Sequence, residues 1–358
     1  TREVAALAVY LTSISRSNLS TPGMAIAAPV PSAGTYSLVV GILSTEHRQA
    51  QRQRLRSFYN QFTHNVLVRF VLDAWWMKQH SMVLVGDELG VPALPQGTGF
   101  CLRKLIMARK TLSWWQRATE WNASYYAKTD DDAIIDLEQL LVLLNAAPHG
   151  PLYGGVVRFS CINTTSLTCP SCFFAFGAVG ALKLMIRNRA SSPACDFGPF
   201  PFALGPLQIL SQPVCAWAAS RVAQLNRRLQ TCPMNEDALF GSLLAFHPNL
   251  TLLNLEGTLG NFDVQWLPHK LWHGAPSLLA HKISTSEAWS LATRDFIESK
   301  QTNGGLATYC TRRLDRKWQQ HARRIYCHGE QLRLLCKPWS QEFASLRMFP
   351  CCRVWSVC

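Results

Sequence analysis

The segment Lys128-Thr129-Asp130-Asp131-Asp132-Ala133-Ile134-Ile135 sets three carboxylates in succession between two apolar stretches. Upstream lies Trp121-Asn122-Ala123-Ser124-Tyr125-Tyr126-Ala127, and downstream a helix-like Leu137-Glu138-Gln139-Leu140-Leu141-Val142-Leu143-Leu144, so the acids fall where a buried strand runs out. Like charges this close repel and raise one another's pKa unless a cation neutralises them, and a divalent metal that takes oxygen ligands suits such a group. An acidic turn left in water is the alternative. An EF-hand loop is excluded, because no glycine stands at its sixth position and no glutamate at its twelfth. A second acidic pair, Glu236-Asp237, precedes an apolar helical stretch; taken by itself it reads as a charge pair complementing the helix dipole.

These acids need elements to hold them. Ser37-Leu38-Val39-Val40-Gly41-Ile42-Leu43-Ser44 is an apolar run ending in small polar residues and reads as a first buried parallel strand. A strongly basic helix follows from Glu46 to Phe62, then a strand at Val66 to Leu72, then a helix at Phe100 to Trp121 leading into a strand at Tyr125 to Ala127. Strands alternating with helices predict a mainly parallel sheet covered on both faces, and in such sheets ligands collect beyond the carboxyl ends of the strands, where the acid cluster lies. The second half is less regular: Gly154-Gly155-Val156-Val157 suggests a strand after a tight turn, Gly198 to Gly205 a Pro/Gly/Phe-rich loop, and Glu236 to Phe246 a helix. No internal repeat is present.

Length and composition bound the possibilities. With 358 residues, 48% hydrophobic and 16% charged, the chain is globular and can bury a large core. The net charge is +13, and residues 301–358 hold ten Lys/Arg against three Asp/Glu, so the last sixth of the chain carries about half of it. No zinc-finger spacing, RNP aromatic pattern or helix-turn-helix signature accompanies the basic residues, and no nucleic-acid partner is expected. Polyanion binding by the basic tail remains a reading of the charge alone.

Thirteen cysteines and four Asn-x-Ser/Thr acceptors, at Asn18, Asn122, Asn163 and Asn249, together favour an oxidising secretory lumen. Cys169-Pro170-Ser171-Cys172 lacks a second CxxC and a histidine pair at ligand spacing, which favours a disulfide over a zinc site. The apolar run Val4 to Leu11 is well short of the ~20 residues that span a bilayer, so no membrane anchor is visible in this chain. Residues 1–35, rich in Ser, Thr, Pro and Ala, read as a stem or linker, residues 36–296 as the folded domain, and residues 297–358 as a basic, Cys-rich extension.

The order of these features resembles the beta-1,3-galactosyltransferase family, glycosyltransferase family 31, which also includes beta-1,3-N-acetylglucosaminyltransferases and, more distantly, the Fringe enzymes. The resemblance runs from about Ser37 to about Ser290. Arg52-Gln53-Arg54-Leu55-Arg56-Ser57-Phe58-Tyr59 is similar to the family's early R-x-A-I-R-x-T-W helix, and Phe100-Cys101-Leu102-Arg103-Lys104-Leu105 occupies the place of its L-T-L-K stretch. Tyr126 to Ala133 resembles Y-x-x-K-x-D-D-D-x-F, the family's form of the DxD motif, and Tyr153-Gly154-Gly155 its following Y-G-G. Asn235-Glu236-Asp237-Ala238-Leu239-Phe240-Gly241 is similar to E-D-V-Y-x-G, and Ser277 to Lys282 to a late apolar strand closing on a histidine. The family's glycine-rich P-P-Y-C-S-G-G-G-Y-V-L-S appears as Phe200 to Ser211, with only Gly205 of the three glycines kept and Pro206 and Leu207 in place of the others.

The resemblance implies a GT-A-like α/β fold and an inverting hexosyl transfer, of galactose or N-acetylglucosamine, from a UDP-sugar to a glycan or glycoprotein hydroxyl in beta-1,3 linkage. It implies manganese as cofactor, held by Asp132 with Asp130 and with His281 completing the shell; His247, His269 and His273 compete for that last place. Arg56, Lys104, Asp130 and Asp131 are implied to contact the nucleotide-sugar, and Asp237 to act as general base on the acceptor. The family's full-length forms imply a type II membrane protein of the Golgi lumen. The altered glycine segment keeps a second reading open, that of a catalytically inactive relative that binds a glycan or a protein.

Overall fold

The computed structural model describes residues 36–60, 65–74, 84, 86–91, 100–147, 149–162, 173–176, 197–222, 235–255, 278–283, 285–303 and 353–356, with side chains at all of these except 100–105, 159, 161–162, 173–176, 197–199, 295–303 and 353–356. The expected stem at 1–35, most of the extension from 297, Cys169, Cys172, Asn18, Asn163, His269 and His273 lie outside the described residues.

The first strand, β1 (Tyr36–Leu43), is apolar on both faces because both faces are covered, and it lies between β2 (Val66–Asp73) and β4 (Ala123–Asp130), parallel to each. Strand β3 (Glu88–Val91) extends the parallel set from β2. On the other side β8 (Phe197–Ser211) runs antiparallel between β4 and β6 (Leu152–Ile162), and β9 (Thr251–Asn254) and β11 (Arg353–Ser356) continue the sheet in parallel beyond β6. The order is β11-β9-β6-β8-β4-β1-β2-β3, with β7 (Phe173–Phe176) on the side of β6. A separate ribbon pairs β5 (Ala133–Ile135) antiparallel with β10 (Leu279–His281).

Alternation along β1 assigns its two faces. Leu38, Val40 and Ile42 join Leu55, Phe58 and Tyr59 of α1 (Gln49–Tyr59), Leu140, Leu143 and Leu144 of α3 (Leu137–Ala146), and Ala288 and Ala292 of α6 (Ser286–Asn303) in one buried cluster. The opposite face packs on α2 (Phe100–Ala118), whose Trp115 stacks on Phe240 of α5 (Glu236–Leu244) with ring centres 5.2 Å apart. Helix α4 (Gln212–Ala219) packs against α2 on that side, and Cys215 there is a free, buried thiol facing the Trp115 carbonyl at 3.7 Å. The mainly parallel α/β sheet with helices on both faces therefore matches the reading of the sequence.

Two elements differ from that reading. Glu46–Arg48 forms a 3-10 turn before α1 begins at Gln49, so the basic segment is a turn followed by a helix. Gly198 to Gly205 is strand, not loop. Phe200 and Phe202 are buried at period two, and the proline-bearing half of β8 pairs with β6 alone, since pairing with β4 begins only at Leu207; a strand paired on one side tolerates proline.

Two glycines fix how helices meet the sheet. A Cβ on Gly41 would lie 2.2 Å from the indole of Trp114, and one on Gly241 2.3 Å from Phe202 Cβ and 2.6 Å from the Pro201 carbonyl oxygen. Trp114 is fully buried and cannot swing away. Gly41→Ala is expected to destabilise the fold by about 1–3 kcal/mol or more, the usual cost of overpacking, read as a lower denaturant midpoint with an unchanged slope.

Candidate active site

Because β1, β2 and β4 are parallel, their carboxyl ends Leu43, Asp73 and Asp130 come to one edge of the sheet. Beyond β4 the chain turns through Asp131 and Asp132 into β5. The Asp131 N–H donates to the Leu43 carbonyl and the Ile283 N–H to the Asp132 carbonyl, so the acidic turn is fixed to β1 on one side and to the end of β10 on the other. The Tyr59 hydroxyl accepts from the Ile135 N–H, and the Asp136 carboxylate caps α3 through the Gln139 N–H.

The turn separates the three acids. Asp130, Asp132 and His281 each offer one ligand atom, and these atoms lie within 4.8 Å of one another. His281 Nε2 stands 3.5 Å from Asp132 Oδ1, on a strand end where Lys282 takes a left-handed φ of 63° and turns the chain sharply away. Metal–ligand bonds of about 2.0–2.6 Å put donors on one ion no more than about 5 Å apart, so the three fit a divalent cation that accepts carboxylate and imidazole. Burial pushes the Asp132 carboxyl above its ordinary range; His281 opposes this, and Asp130 and Asp131 add to it.

Asp131 goes elsewhere. It is buried, accepts from Ser44 Oγ at 2.7 Å and pairs with Arg48. Around it is a polar cluster at the ends of β1 to β3. Arg52, buried, binds Glu88 at 2.9 Å and the Thr45 carbonyl, and Lys110 donates to the Ser44 carbonyl at 2.9 Å. Burial lowers the Lys110 pKa against the pull of Asp73, Glu46 and Asp131.

Arg56 makes a bidentate pair with Asp87, at 2.7 and 2.8 Å, and reaches Glu88 at 2.9 Å. Those carboxylates hold its guanidinium pKa above the usual value. Lys104 lies on α2, but its side chain is outside the described residues. His247 is apart from the acidic turn, buried edge-on against Trp217 and accepting from the Asn249 N–H through Nδ1.

The residue that joins the acidic turn to the later Glu236-Asp237 pair is Lys128. Two positions before Asp130 on the same strand face, its side chain is fully buried and donates to Asp130 Oδ1 at 2.8 Å and to the Gly205 carbonyl at 2.9 Å. Glu236 Oε1 is 3.7 Å from the ammonium. Burial works against the charge, but Asp130, Glu236 and Asp237 outweigh it and raise the lysine pKa. Gly205 lies at the centre of this group: a Cβ there would be 3.4 Å from Glu236 Oε1, 3.5 Å from Lys128 Nζ and 3.6 Å from Asp130 Oδ2. Thr129 Oγ1 donates to the adjoining Pro206 carbonyl at 2.7 Å, which fixes β8 in place.

Asp237 is buried at the start of α5, and its Oδ1 accepts from the Ala238 N–H at 2.7 Å. Burial first, and then Glu236, push its carboxyl up to about 7, with the Ala238 N–H and Lys128 pulling the other way and Asp130 adding a smaller push. A buried carboxyl titrating near neutrality, in electrostatic reach of Asp130, has the properties of a proton acceptor. The sequence had singled out Asp130, Asp132, His281 and Asp237; Lys128 carried no role in it and Glu236 only that of complementing the helix dipole, although the strand period places Lys128 on the face of Asp130.

Against known proteins, no family model matches the chain and no curated protein matches it. Among solved structures it is similar to the apo form of mouse xyloside xylosyltransferase 1, with 11% identity over 69% of this chain and 97% of that one and a TM-score of 0.35. It is also similar to a glycosyltransferase involved in glycosylation of the major capsid of PBCV-1, with 10% identity, 74% and 99% coverage and a TM-score of 0.35. A third is the galactosyltransferase LgtC in complex with donor and acceptor sugar analogues, with 8% identity, 74% and 95% coverage and a TM-score of 0.36. Likeness at this level assigns no activity to this chain. Among the described residues no helix is long and apolar enough to cross a membrane.

The raised Asp237 carboxyl has a sign for stability. The fold favours its protonated form, so its stabilising contribution is full below the ordinary carboxylate range and is lost as pH rises through about 7. Asp237→Asn is therefore expected to melt higher than the native chain at pH 8, with the difference shrinking toward pH 5, in thermal melts taken across that range.

Proposed function

We propose that this chain is a metal-dependent glycosyltransferase of GT-A-like type that moves a hexose or N-acetylhexosamine from a UDP-sugar to a glycan hydroxyl with inversion, in beta-1,3 linkage. The observation that carries the reading is that Asp130, which meets Asp132 and His281 at the acidic turn, also shares the buried Lys128 with Glu236 of α5, next to Asp237. That juxtaposition joins a cation site to a carboxylate that takes up protons near pH 7. It lies beyond the carboxyl ends of parallel strands, where α/β sheets bind ligands.

Asp130, Asp132 and His281 would hold manganese, which when bound supplies Lewis-acid neutralisation of a diphosphate leaving group. The rest of the chemistry belongs to the chain. Inversion requires the acceptor hydroxyl to approach from the face opposite the departing UDP and to lose its proton as it attacks. Asp237 receives that proton, and its raised pKa matches it to the task at neutral pH. Gly205 brings the β8 backbone up to Glu236, Lys128 and Asp130, so its carbonyl can accept from the buried ammonium. Under this reading the acceptor is a glycan or glycoprotein and the compartment is the Golgi lumen. Asn122 and Asn249 are both exposed, as acceptor sequons in a secreted domain must be.

Two substitutions test the assignment. Asp132→Asn is expected to abolish manganese-dependent UDP binding in calorimetry. Asp237→Asn is expected to keep that binding while transfer from UDP-galactose or UDP-N-acetylglucosamine falls by roughly a hundredfold or more. Full turnover in Asp237→Asn removes the base assignment. Binding of UDP with no hydrolysis or transfer of any UDP-sugar by the native chain points instead to the inactive, glycan-binding reading.

A further inference from the structure

The acidic turn and the α5 acids are separated by more than a hundred residues of chain, and Asp130, Glu236 and Asp237 bring like charges into one partly buried region. Carboxylates so placed push apart unless something of opposite sign stands between them. Lys128 is the group that does so: fully buried, its ammonium has its donors directed at Asp130 Oδ1 and the Gly205 carbonyl, with Glu236 Oε1 next nearest. With no exposed surface, it is not placed to touch a substrate phosphate or sugar.

We propose that Lys128 is a positioning residue: its ammonium ties the cation-side carboxylate Asp130, the Gly205 backbone of β8 and the first turn of α5 together, and so fixes the distance across which transfer takes place. This rests on the proposed transferase reading. Lys128 occupies one oxygen of Asp130 and leaves the carboxylate's second oxygen, Oδ2, on the side of Gly205. It acts through Asp130 and Glu236, in contrast to Asp237, which would take the proton itself.

The role separates binding from turnover. Removing the charge and keeping the length of the side chain, as in Lys128→Met, leaves Asp132 and His281 in place and removes a positive neighbour from the cation site. Manganese affinity, read by electron paramagnetic resonance, and UDP affinity in manganese, read by calorimetry, are expected to stay within about threefold of native or tighten, while kcat for sugar transfer falls thirtyfold or more. Unchanged kcat overturns the proposal, as does UDP affinity falling in parallel with kcat. If Lys128→Met does not accumulate as folded protein, Glu236→Gln, at a half-buried position, carries the test: lowered kcat with binding retained supports the tie, and native kcat overturns it.

A separate measurement tells failure of this proposal from failure of the transferase reading. If the native chain binds neither manganese nor UDP, that reading fails, but equilibrium unfolding still tests the tie. The midpoint shifts of Lys128→Met and Glu236→Gln are expected to be non-additive in the double variant, as for residues in contact, and strictly additive shifts overturn the proposal.

Discussion

A lysine with no access to water holds the candidate site together. Burying an ammonium is costly unless it is paired and hydrogen-bonded, and Lys128 meets that condition with carboxylates from two distant parts of the chain and a carbonyl from a third. Strand β4, strand β8 and helix α5 cannot drift apart without leaving a charge stranded in the interior. Breaking such a buried pair by removing one partner typically costs about 3–5 kcal/mol, a large part of a domain's net stability. Glycine at 241 allows the matching approach of α5 to β8, so the electrostatic demand at the start of that short helix and the steric demand along it are met together.

The strand end divides its acids between two tasks. In a strand that runs out into a tight turn, successive side chains leave in different directions, and here the first and third aspartates join His281 while the second turns back to Ser44 and Arg48. The second thereby belongs to a cluster of buried charges near the ends of β1 to β3, in which Arg48 pairs with Asp131, Arg52 with Glu88, and Lys110 donates to the Ser44 carbonyl. Paired charges in this number make the edge of the sheet rigid and polar at once. Asp132 is left with a carboxyl that burial disfavours in its ionised form, a cost that a bound cation relieves.

Much of this was legible in the sequence, and what was not has physical causes. Strand β1 could be read because a nearly continuous apolar run is the signature of a strand covered on both faces, and β2 carries the same mark apart from Arg69 and its final Asp73. Strand β8 was misread because proline and glycine outweigh alternating phenylalanines when pairing partners are unknown; only the one-sided pairing with β6 makes the prolines harmless. The short strands β3, β5 and β9 have three or four residues each, too few to show a period, and β10, equally short, was read only through the resemblance of Ser277 to Lys282 to a family strand. At the site, the aspartates announced themselves by repetition. Lys128 did not, because a lysine next to acids reads as a solvated charge until its burial is known. Arg56 stood out for its place in a basic helix, but Asp87 and Glu88, which bind it, follow at a distance no local pattern reveals.

The buried thiol behind α2 has a bearing on the whole complement of cysteines. Attack on a disulfide, and oxidation by peroxide, both proceed through the thiolate, and the apolar surroundings of Cys215 push its ionisation far out of reach of neutral pH. Position 215 thus behaves as a small apolar side chain rather than as a redox partner. Of the thirteen cysteines in the sequence, this one therefore needs no sulfur partner, in this chain or in another, to account for it.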